Sequence, residues 1–109
     1  MAYDEAVAQR LRQQMSDIPG VTEKKMFGGI AFMVYGNMCC GVVKKELMLR
    51  IGVDGYDDAI KQPYARKMDF TGKPMKGFIY VGEKGFVSDA DLKRWIKRAC
   101  KFVDTLPAK

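Results

Sequence analysis

Between residues 21 and 51 the chain packs four β-rich runs, TEKKMF, IAFMVY, MCCGVV and ELMLRI, with only a few residues between successive runs. Links this short reverse the chain rather than carry it across a sheet, so the runs are expected to form antiparallel neighbours. Gly36-Asn37 stands between the second and third runs as a two-residue hairpin link, since glycine accepts the positive φ of such turns. That register sets Val34 opposite Cys39 and Phe32 opposite Gly41. Lys44-Lys45-Glu46 makes the next corner. IAFMVY is apolar on both sides, with Ile30, Phe32 and Val34 on one and Ala31, Met33 and Tyr35 on the other. Either helices cover both faces of the sheet, or one face is an interface.

The flanking segments supply the helices. Residues 4–16 repeat Val7, Leu11 and Met15 every fourth position, which predicts an amphipathic helix stopped at Pro19-Gly20. DGYDDAIKQP reads as a short middle helix closed by Pro63, and KMDF and GFIYV as two further strands around the loop MDFTGKPMKG. Ser88 and Asp91 open a long last helix in the manner of a capping box, and Pro107 ends it. The expected fold is α+β: a single antiparallel sheet of five to six strands with an N-terminal, a short middle and a long C-terminal helix, in the order α-β-β-β-β-α-β-β-α. At 109 residues the chain is read as one domain, 1–109, without repeat or linker.

Composition removes much chemistry. The chain has no histidine, and so lacks the commonest general base and metal ligand. Its three cysteines offer no CxxC spacing, and reduced thiols are expected. Cys39 and Cys40, adjacent on a strand, should point to opposite faces and act as buried structural residues. The acids Asp57, Asp58, Asp69, Asp89 and Asp91 form no recognisable catalytic pair. There is no signal-type segment and no apolar stretch of spanning length, so a cytoplasmic protein away from membranes is expected. The net charge of +6 sits mostly in the second half, where twelve Lys and Arg face seven Asp and Glu. An acidic partner should meet that half.

Three stretches are candidates for binding. MDFTGKPMKG fails as a phosphate loop, because Lys67 stands where the leading glycine belongs and Pro74 follows Gly72-Lys73. It reads instead as a glycine-bearing turn that presents Lys73, Met75 and Lys76 to a partner. KKMFGG, with Lys24, Lys25, Phe27, Gly28 and Gly29, admits an anion-binding nest but reads better as a turn or a close backbone approach. On the last helix Lys93, Arg94, Lys97, Arg98 and Lys101 fall within about 140° at 100° per residue, opposite an apolar side. Such an arc can track phosphates, or simply be a solvated face.

The strings VTEKKMFGGIAFMVYGNMCCGVV, LMLRIG and MDFTGKPMKGFIYV together resemble the N-terminal domain of the TfoX/Sxy family, bacterial regulators of competence for DNA uptake. The resemblance implies an α+β domain and, in the full-length regulators, participation with the cyclic-AMP receptor protein at competence promoters. Those regulators carry a second helical domain that these 109 residues do not include, so a stand-alone N-terminal-type domain is expected. The family supplies no catalytic residues to carry over.

The reading that follows is a non-enzymatic interaction module resembling competence regulators, a transcriptional co-regulator acting through protein contacts. A protein partner or a homodimer is expected, with no cofactor, metal or small-molecule substrate. The alternative is a nucleic-acid-binding domain that uses the basic arc of the last helix.

Overall fold

The computed structural model describes residues 3–26, 28–69 and 74–107. Helix α1 spans Glu5–Gln14, and Asp4 caps it by accepting a hydrogen bond from the Val7 amide at 3.1 Å. Strands β1 (Val21–Met26), β2 (Gly29–Val34), β3 (Asn37–Val43) and β4 (Glu46–Arg50) follow as the antiparallel meander that the short links demand. Helix α2 (Gly52–Ile60) then crosses to β5 (Ala65–Asp69). Strand β6 (Pro74–Val81) returns between β5 and β4, and the sheet order is β1-β2-β3-β4-β6-β5. A 3-10 turn at Glu83–Phe86 leads to α3 (Asp89–Val103), whose first turn is capped by Ser88 accepting from the Asp91 amide at 3.1 Å. The α+β class, the element order and the single antiparallel sheet are those expected, with six strands.

Two details of the first hairpin differ from expectation. The turn is Tyr35-Gly36, with φ of 49° and 83°, so both central residues adopt the left-handed conformation of a type I′ turn. Asn37 belongs to β3 instead, because it is buried and its side-chain amide donates to the Pro107 carbonyl at 2.9 Å beyond the end of α3. Val34 therefore pairs with Asn37, not Cys39, and Phe32 with Cys40, not Gly41. Between Phe32 and Met33 the register shifts, leaving Cys39 as an extra residue in a β-bulge.

The bulge breaks the alternation of side chains along β3. Cys39 and Cys40 both enter the core on the helix-covered face, which corrects the expectation that they point apart. Cys40 donates to the Met15 thioether at 3.2 Å. The same core gathers Leu11, Phe32, Leu47, Leu49, Tyr56, Ala59, Ile79, Phe86, Leu92 and Ile96, drawn from all three helices, the 3-10 turn and the sheet. The opposite face forms a separate cluster: Ala31, Met48 and Tyr80, edged by the half-buried Met33, Met38, Val43 and Phe78. No residue of α1, α2 or α3 joins that second cluster. The apolar-on-both-sides pattern thus resolves into one face packed under helices and one face whose cluster takes no helix residue, with Ala31, Met48 and Tyr80 buried at its centre and half-buried side chains at its edge.

Candidate functional site

The open face is built from strand alternation. Lys24 on β1 pairs with Ala31 on β2, Ala31 with Gly41 on β3, Gly41 with Met48 on β4, and Met48 with Tyr80 on β6, so these positions line one row across the sheet. Beside it, Met33 pairs with Met38. The centre is therefore small residues and methionines, whose unbranched thioether side chains adapt to varied surfaces. At the β5 end, Arg66 lies with its guanidinium 4.7 Å from the Tyr80 ring centroid and reaches across it to Glu46, its Nε 2.9 Å from Oε2. This contact raises the Arg66 pKa, since the Glu46 carboxylate accepts its hydrogen bonds. Burial pushes the Tyr80 phenol up, leaving it a neutral hydrogen-bonding group. At the end of β4, Arg50 faces the rings of Phe78 and Phe102 at 5.7 and 5.4 Å. Among the described side chains, the cations Lys24, Arg50 and Arg66 and the carboxylate Glu46 thus frame the apolar centre.

The sequence-predicted residues fall in three places. Lys24 and Lys25 lie in β1 on alternate faces, Lys24 toward the open side. Gly28 has φ of 73° and sits in the β1–β2 turn. A Cβ on Gly29 would stand 2.2 Å from the Val42 carbonyl oxygen, so this position requires glycine for close strand approach. Phe27 lies outside the described residues, as does Lys73. Met75 and Lys76 are within β6 rather than in a loop: pairing resumes at Asp69 and Pro74, so the strands run further into MDFTGKPMKG than their apolar runs indicated.

On α3 the apolar side docks as expected, with Leu92, Trp95, Ile96, Ala99 and Val103 buried. The five cations divide. Arg94 pairs with Asp91 one turn earlier, and Arg98 bonds Asp58 of α2 at 3.0 Å while lying 5.4 Å from the Trp95 ring centroid. Lys93, Lys97 and Lys101 are exposed along one row four residues apart, and make no ion pair among the described residues. Between α2 and α3 lies a groove of about 630 Å³ lined by Asp54, Asp58, Arg98, Lys101 and Phe102. Its mixed charges suit no single class of ion. Among the described residues no group of three or more Cys, Asp or Glu is arranged to hold a metal ion, and no helix is long and apolar enough to cross a membrane.

Sequence reading missed the roofing of Tyr80 by Arg66 and Glu46, which depends on β6 lying between β4 and β5 in the sheet rather than after them. It also missed the meeting of Cys39 with Cys100. Neither has a local signal.

No functionally curated protein matches the chain. The family model of the TfoX N-terminal domain matches residues 13–103, from the last two residues of α1 through all six strands to the end of α3. That span includes every element of the sheet and the open face, and the chain belongs to the TfoX N-terminal domain family.

Proposed function

We propose that this protein is a non-enzymatic interaction module, a transcriptional co-regulator of the bacterial cytoplasm that works through protein–protein contacts, and that the open sheet face is its docking surface. Membership of a competence-regulator-like family supports the regulatory setting. The observation that carries the reading is the methionine-lined face whose apolar cluster takes no residue from the three helices. Apolar surface of this kind, rimmed by charge, is characteristic of interaction sites. The rim selects the partner: among the described side chains Lys24, Arg50 and Arg66 outnumber Glu46, so the complement is a protein surface with an apolar centre and carboxylates around it. A second copy would set these cations against one another.

The test is a photo-cross-linking residue placed at Met38 and, as a control, at Lys97, introduced into the protein in bacterial cells. Cross-links from position 38 to one protein with an acidic apolar surface, lost in a folded Met33→Glu/Met48→Glu variant, are the expected result. Cross-links confined to position 97, or to a second copy of the chain, would overturn this assignment of the occupant.

The row of Lys93, Lys97 and Lys101 favours a second reading, contact with nucleic-acid phosphates, because it is exposed and outside the ion pairs that occupy Arg94 and Arg98. Fluorescence anisotropy with duplex DNA at low and moderate salt checks it. Binding through this row should weaken steeply with salt and vanish when the three lysines become glutamate; no binding at low salt leaves the row a solvated face.

A further inference from the structure

The bulge in β3 brings the Cys39 sulfur to 3.7 Å from that of Cys100, across 61 residues of sequence. Cys39 is buried at the sheet, and Cys100 is half-buried on α3. Cys40, the third thiol, donates to Met15 on α1, while its side chain also adjoins that of Cys39. We propose that Cys39 and Cys100 are a modification site, a dithiol pair that hydrogen peroxide converts to a disulfide tying β3 to α3.

The chemistry balances with the peroxide as oxidant. The Cys100 thiol, on the more accessible side of the pair, loses its proton, and its thiolate attacks one peroxide oxygen. The O–O bond breaks, hydroxide leaves, and Cys100 becomes a sulfenic acid. The Cys39 thiolate then attacks the Cys100 sulfur, the S–S bond forms, and the sulfenic oxygen departs as water once protonated. Two thiols give up two electrons and two protons in total, and one peroxide becomes two waters. The hydrogen bond with Cys39 and then burial hold the Cys100 thiol protonated. At Cys39 the Cys100 contact favours the thiolate, but hydrogen bonding with Cys40 and burial outweigh it. The pair is accordingly slow to react at neutral pH, since only the thiolate is nucleophilic. Once formed, the link closes a long loop and restricts the unfolded chain, so it resists thermal unfolding.

The experiment treats the full chain with hydrogen peroxide, blocks remaining thiols by alkylation, and combines intact mass with a tryptic map and a melting curve. The expected result is loss of two hydrogens, one alkylated thiol, and peptide 26–44 joined to peptide 99–101. The melting temperature should rise by about 5 °C or more and fall back with dithiothreitol. Cys40→Ala should keep the link and the rise, whereas Cys100→Ser should abolish both. Oxygen added to Cys100 without a link, a link that disappears in Cys40→Ala, or disulfides only between chains would each overturn the proposal. Peptide 26–44 holds both Cys39 and Cys40, so fragmentation of the joined peptides from the native chain identifies the linked thiol even if a variant fails to fold; a link at Cys40 would overturn the proposal.

Discussion

Gly52 holds φ of 80° at the start of α2, and a Cβ there would lie 2.2 Å from the Phe102 ring. Both the backbone conformation and the neighbour oppose a side chain. Gly52→Ala should therefore destabilise the protein by about 2 kcal/mol or more, through left-handed strain together with displacement of Phe102. Urea unfolding measures it; a change below about 0.5 kcal/mol would mean that α2 and α3 shift apart freely. Tyr35 and Lys44 also take positive φ, at 49° and 55°, in the β2–β3 and β3–β4 turns of the meander. Neither is a residue that turn chemistry favours there. That is why Gly36-Asn37 looked like the turn, while burial of Asn37 against Pro107 moved it by one residue.

At the scale of elements, α1 is fastened to the edge strand β1 by Arg12, whose Nε and Nη2 each lie 2.8 Å from the two carboxylate oxygens of Glu23. The Arg12 hydrogen bonds hold the Glu23 carboxyl below its ordinary value. A carboxylate with a depressed folded pKa stabilises above its unfolded pKa, near 4.3, and loses that contribution as pH falls through the folded one. With both side chains about a third exposed, the pair contributes under about 1 kcal/mol. Arg12→Ala should lower stability at pH 7 by that amount and progressively less as pH falls through the folded pKa of Glu23, a trend that denaturant titration across the acid range checks. The helices themselves were legible because their signals are local: the Ser88 cap, the four-residue apolar repeat of α1, and the clean division of α3. The ends of β5 and β6 were less so, since strands continue into MDFTGKPMKG through backbone pairing that apolar runs do not mark.

Over the whole molecule the two sheet faces carry different duties. Leu49 is fully buried beneath the helices, and Leu49→Ala should cost about 2–5 kcal/mol through lost burial and a cavity. Met38 is half-buried on the open face, and Met38→Ala should cost under about 1 kcal/mol in stability while weakening partner binding. Unfolding and cross-linking of the two variants read this contrast, and equal stability losses would mean that the open face belongs to the folding core. The meander, the three helices, the α+β class and the family were all readable from residue order, because each rests on periodicity, punctuation and short connections between neighbours in the chain. The bared face was not, since a strand apolar at both even and odd positions carries no preference for which side meets the helices. Nor was the pairing of Cys39 with Cys100: one bulged residue reverses the alternation of β3, and the contacts that stabilise that bulge come from the far ends of the chain, at Met15, Cys100 and Pro107.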